Sequence, residues 1–180
     1  MQNNNGLQAF EKLAHGFVVI MAVLMLAAWA DNARSDECPT FTHEQEWLLH
    51  AAFEMGKPHD WGYTLAAITW QESFLGRRVV RVNPHDGDYG SYGVTHVQAT
   101  TAVWMAGLEQ TPENNAAMAD MLRKNDLAAM EFALNYLVLH SDRSYIGTIE
   151  KYNGTGESAM IYGQRVYQKV LVLMACHPWQ

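Results

Sequence analysis

Glu72 is the residue best placed to do chemistry. It lies in LAAITWQES, residues 65–73, where an apolar stretch ends in a carboxyl. Read as a helix from Trp61, the positions Trp61, Leu65, Ile68 and Glu72 recur at i, i+4, i+7 and i+11, one stripe of a 3.6-residue period. The spacing therefore places Glu72 on the buried face. Burial penalises a charged carboxyl, so such a residue either pairs with a cation or keeps its proton, as a general acid must. Arg77, Arg78 and Arg81 are the cations nearest in sequence. Spacing alone leaves both roles open.

Asp86 and Asp88 offer a second carboxylate, as nucleophile or as base for a water in a two-carboxylate glycosidase scheme. Their segment, DGDYGS, alternates oxygen ligands but lacks the length and terminal glutamate of a calcium loop, and a plain turn is the better reading. The eight histidines show no metal-ligand spacing, and His96 reads as a satisfied cleft or core histidine. Trp61, Trp70, Tyr89, Tyr92, Trp104, Tyr152 and Tyr162 present flat faces that suit sugar rings, although each taken alone reads equally as core.

The elements that must position these groups are mostly helical. Thr42 with Gln45 forms a capping box for HEQEWLLHAAFEMG, which Gly56 and Pro58 close. Asp60 is the expected cap of the helix from Trp61 to Glu72, with Ser73 and Gly76 ending it at a cleft. Asn83–Gly93 has the composition of a long loop or small hairpin. VTHVQATTAVWM, residues 94–105, reads as a third helix, Thr111-Pro112 opens a fourth, DLAAMEFALNYLVLH is a fifth, and two more follow. No repeat or linker divides residues 31–180, which are expected to form one all-α domain with at most a small β element.

Composition narrows the function. The 180 residues carry 12 basic and 19 acidic side chains, a net charge of −7 that disfavours nucleic acid or an anionic membrane as partner. Gly-rich phosphate loops, CxxC, HExxH and GxSxG are all absent. Phe17–Ala30, FVVIMAVLMLAAWA, is an apolar run of 14 residues, about 21 Å long as a helix against a hydrocarbon core of about 30 Å. Ala28-Trp29-Ala30 has the form of a signal-peptidase site, so residues 1–30 read as a secretory signal, or as an anchor that is inserted and later released; a buried core helix is the alternative. Export puts the two cysteines, Cys38 and Cys176, where disulfides persist, and a single bridge joining the ends of the domain is expected.

Taken together, these residues resemble the lysozyme-like lytic transglycosylases of the soluble lytic transglycosylase type. The family's Glu-Ser pair ending an apolar helix appears as Glu72-Ser73, and its Gly-Leu-Met-Gln-Val/Ile segment as Gly93-Val94-Thr95-His96-Val97, preceded by Ser91-Tyr92. Its Tyr-Asn-Gly motif appears as Tyr152-Asn153-Gly154, followed by Tyr162 and Val166. Thr95 and His96 depart from the family's methionine and glutamine, and DLAAMEFALNYL meets an intermediate family motif only loosely.

The resemblance implies a lysozyme-like fold and cleavage of peptidoglycan glycan strands without a cofactor. Glu72 would act as acid and base, Ser73 and Tyr152 would orient it or the substrate, and Asn153 and Tyr162 would line the cleft. Ser91, Tyr92, Gly93 and His96 would join them in binding. It implies a monomeric catalytic domain in the periplasm or on the outer face of the inner membrane, or in a virion, with residues 17–30 making any membrane contact. A hydrolytic muramidase using Asp86 or Asp88 and a non-catalytic wall-binding module are the competing expectations.

Overall fold

The computed structural model describes residues 38–81 and 90–179. Thr40–Gln180 make up one compact unit, and of residues 1–39 only Cys38 and Pro39 are described. The apolar run 17–30 and the loop residues Asn83, Asp86, Asp88 and Tyr89 lie outside the described residues. Among the described residues no helix is long and apolar enough to cross a membrane.

Among the described residues, seven α-helices and a small sheet follow in order. They are α1 (His43–Gly56), α2 (Gly62–Ser73), β1 (Val80–Arg81), β2 (Ser91–Tyr92), β3 (Val97–Gln98), α3 (Ala99–Met105), α4 (Pro112–Lys124), α5 (Asp126–Leu139), α6 (Tyr145–Asn153) and α7 (Glu157–Cys176). The caps read from sequence at Thr42 and Thr111 are present: Thr42 and Gln45 close a reciprocal box, and the Thr111 hydroxyl accepts from the Asn114 amide. Asn125 and Ser144 cap α5 and α6 in the same way.

Asp60 does not cap α2. It sits at φ 63° and terminates the 3₁₀ turn Lys57–His59, while Trp61 holds the N-cap position without a side-chain bond. The sharp turn required by Lys57-Pro58 uses Asp60 as its left-handed residue, a conformation that Asp tolerates better than most.

The central element is α2, which packs on α1, α5 and α7. It is apolar nearly all round, with Thr64 to Thr69 buried without a break, as expected of a helix enclosed by others. Leu65 and Ile68 are fully buried and Trp61 nearly so, which is the stripe that leads to Glu72. Around it Leu49, Leu122, Met130, Leu137, Ile149 and Leu173 fill one core.

The segment 94–105 is not one helix. Only Ala99–Met105 is helical; Gly93–His96 turns back and Val97–Gln98 pairs with Ser91–Tyr92, giving an antiparallel sheet of order β1-β2-β3. The turn prevails because buried Thr95 spends its hydroxyl on the Ala129 carbonyl of α5, at 2.8 Å, and the Gly93 amide donates to Val79 O, also at 2.8 Å. The chain is thus α-helical with a minor β element.

Cys38 and Cys176 are disulfide-bonded, and no cysteine among the described residues is free. Alkylation of the denatured, unreduced protein should accordingly label neither residue, and labelling after reduction should reach both.

Candidate active site

Glu72 is the second-last residue of α2, and the end of that helix sets its carboxyl at a groove. The Ser73 hydroxyl donates back to Thr69 O at 3.2 Å and accepts from the Gly76 amide at 2.9 Å. Phe74, Leu75 and Gly76 follow at φ 51°, 59° and 81°, three consecutive left-handed residues of which two carry side chains that disfavour it. The helix therefore stops abruptly, and the carboxyl reaches the floor of a groove instead of a further turn.

That groove has two halves meeting at Glu72, His96, Arg81 and Asn153. One half, of about 270 Å³, runs between β2, β3 and α6 past Ser91, Gln98, Tyr136, Lys151 and Tyr152. The other, of about 700 Å³, runs between the end of α2 and α7 past Phe74, Arg78, Ile161, Tyr162 and Arg165. The larger half falls in the size range of small-molecule clefts, about 300–1,000 Å³, and the smaller lies just under it.

Of the residues picked out in sequence, Glu72, Ser91, His96, Tyr152, Asn153 and Tyr162 line this groove. Ser73 does not: it is fully buried and spends its hydroxyl on the helix end. Gly93 is buried under the hairpin, and Tyr92 packs partly into the core. Arg78 and Arg81, named from sequence as cations near Glu72, also line the groove, whereas Arg165, Gln98, Tyr136 and Lys151 carry no motif by which sequence could have placed them here.

Neither Arg77, Arg78 nor Arg81 pairs with Glu72. Its side-chain partner is His96, with Nδ1 3.2 Å from Oε2, at side-chain exposures of 6% and 7%. The other imidazole nitrogen, Nε2, lies 2.5 Å from the Arg78 carbonyl. His96 has φ 49°, and its backbone amide donates to Gly93 O, closing the β2–β3 turn. The Arg78 guanidinium instead stacks over the exposed Phe74 ring, 5.2 Å from its centroid.

Two tyrosines back the carboxyl. The Tyr152 ring keeps an exposed edge, but its hydroxyl is enclosed and donates to Thr95 O at 2.8 Å. Tyr162 stacks on it at 6.3 Å, its hydroxyl buried beside Glu72 without a hydrogen bond of good geometry. Burial first, and the Glu72 carboxylate second, hold both phenols well above the usual tyrosine range.

Because folding raises these phenol pKa values, their stabilisation is complete below the unfolded value of about 10 and declines as pH rises beyond it. The unfolding free energy from urea titrations between about pH 9 and about pH 11 should fall by up to about 1.4 kcal/mol per pH unit for each phenol, and a Tyr152→Phe, Tyr162→Phe double variant should flatten that slope.

Among the described residues no cluster of three His, Cys, Asp or Glu is arranged to hold a metal. One buried carboxyl, one imidazole and two neutral phenols at the base of an open, polar groove make an arrangement suited to moving a single proton to and from a bound polar ligand. Comparison with protein-family models, curated proteins and solved structures returns no match to this chain.

Proposed function

We propose that the protein is a peptidoglycan lytic transglycosylase, cleaving the β-1,4 bond between N-acetylmuramic acid and N-acetylglucosamine. The observation that carries this reading is the Glu72 carboxyl, buried to 7% exposure yet set on the floor of an open groove, with a histidine and no arginine as its partner. The Glu-Ser, Gly-Val-Thr-His-Val and Tyr-Asn-Gly motifs add to it, since Glu72, His96, Tyr152 and Asn153 come from all three and meet in that groove.

In the proposed reaction protonated Glu72 gives its proton to the glycosidic oxygen as the C1–O4 bond breaks. The muramyl 6-hydroxyl then attacks C1, its proton passes to the Glu72 carboxylate, and a 1,6-anhydro ring closes. The groove extends to both sides of Glu72, as a bond inside a chain of sugars requires, and Tyr152 and Tyr162 supply aromatic walls. The setting would be the bacterial envelope, in phage lysis or entry or in wall remodelling, reached through the apolar segment 17–30.

Zymography on cell walls with the full-length chain, followed by mass spectrometry of the fragments, tests the proposal. Fragments one water lighter than hydrolytic products are expected. Hydrolytic products, with activity lost in Asp86→Asn or Asp88→Asn as fully as in Glu72→Gln, would favour a muramidase. Wall binding with no cleavage would favour a non-catalytic module.

A further inference from the structure

The Glu72–His96 contact fixes a proton count, which goes beyond the assignment of Glu72 as acid and base and rests on that assignment only for its functional reading. A carbonyl oxygen offers lone pairs alone, so the 2.5 Å contact of His96 Nε2 with Arg78 O requires Nε2 to carry a hydrogen. In a neutral imidazole Nδ1 is then a bare lone pair. It faces Glu72 Oε2 at 3.2 Å, and a carboxylate there would set lone pair against lone pair. One proton must lie between them, on Oε2 or on Nδ1.

We infer that Glu72 and His96 act as one unit holding a single proton, and that His96 is the positioning residue that keeps the acid loaded. With side chains only 6% and 7% exposed, the one-proton state is neutral overall, whereas a state with none leaves a buried negative charge and a state with two a buried positive one. The cations facing the pair bear on both of its limits: they oppose a second proton, and they favour loss of the first, which only burial and the bare Nδ1 oppose. Arg78 and Arg81 beside α2, Lys151 from α6 and Arg165 from α7 line the two halves of the groove and oppose a second proton. Tyr152 and Tyr162 stay neutral at their backs.

This accounts for the strained backbone at His96. A non-glycine residue at φ 49° is costly, and it is held there from two directions by the neighbouring Thr95, whose hydroxyl donates to Ala129 O while its carbonyl accepts from Tyr152. In the reaction, the pair gives its proton to the leaving O4 and is briefly empty. That emptied state, with two lone pairs opposed, is the stronger base and takes the proton back from the 6-hydroxyl as the C1–O6 bond forms. Protons, bonds and charges balance over the cycle.

Long-range ¹H–¹⁵N spectra of the full-length chain labelled at histidine, together with the pH dependence of wall cleavage, test the inference. His96 should show a protonated Nε2, and an Nδ1 signal that moves together with Glu72 in one step and changes in Glu72→Gln. In His96→Gln the amide can donate to the carboxylate and favours the emptied state, so the alkaline limb of kcat should move to lower pH while substrate KM stays near its original value. An Nδ1-protonated tautomer with bare Nε2 in the wild type, or an unmoved alkaline limb in a folded His96→Gln, would overturn the inference. If the wild type cleaves no wall at all, the proposed function falls, and the wild-type spectrum alone still decides whether the pair shares one proton.

Discussion

Glu72→Gln should lower the turnover of wall cleavage by at least about 10² and up to about 10⁴, the range expected when a general acid/base is removed. The amide is nearly isosteric with the carboxyl, and its NH₂ can donate to the bare Nδ1 of His96 where the carboxyl proton would have been. Neither the helix end nor the core is disturbed, since Ser73 rather than Glu72 holds the last turn. The loss should therefore appear in kcat with unchanged thermal midpoint and unchanged affinity for wall fragments. Near-normal lysis by a folded Glu72→Gln would exclude Glu72 as the acid. Asp86→Asn and Asp88→Asn are expected to cost less than Glu72→Gln.

The largest effect on stability is expected at Gly93→Ala. Gly93 lies at φ 78°, and an added Cβ would stand 2.6 Å from both the Ala129 Cβ and the Leu122 carbonyl oxygen. The first contribution is the left-handed conformation, about 1–2 kcal/mol for a residue with a side chain. The second is overpacking against backbone that cannot rotate aside, typically about 1–3 kcal/mol. Together they predict a loss of about 2–5 kcal/mol, read as a shift in urea midpoint.

The same substitution also reaches the site. Val94 and Thr95 are fully buried beside Gly93, and His96 is the next residue along the turn, so pushing the hairpin off α4 and α5 would draw the imidazole from Glu72. Gly93→Ala should thus lower activity even in protein that remains folded, whereas Gly107→Ala, with nothing within 4 Å of the added Cβ, isolates the cost of a positive φ without the clash.

Much of the fold is written locally. The 3.6-residue stripe through Trp61, Leu65, Ile68 and Glu72 is a property of helix geometry and needs no tertiary knowledge, and it places a carboxyl in a buried position. The caps at Thr42 and Thr111 are legible because a hydroxyl three residues from an orphan amide satisfies it whatever lies beyond. The even count of two cysteines limits the disulfide to one pairing.

Other features depend on partners far away in the chain. Residues 94–98 have an apolar pattern compatible with a helix; they turn and pair because Thr95 finds Ala129, 34 residues on, and Tyr152, 57 residues on. Spacing leaves open whether Glu72 pairs with a nearby arginine or serves as an acid; the contact is made instead by a histidine 24 residues away, brought in by that turn. Periodicity and capping act within four or five residues, so sequence alone determines most of the helices, though not the 94–98 turn, together with the buried carboxyl and the possible bridge. Which groups surround that carboxyl is a matter of packing between elements, and only the tertiary structure decides it.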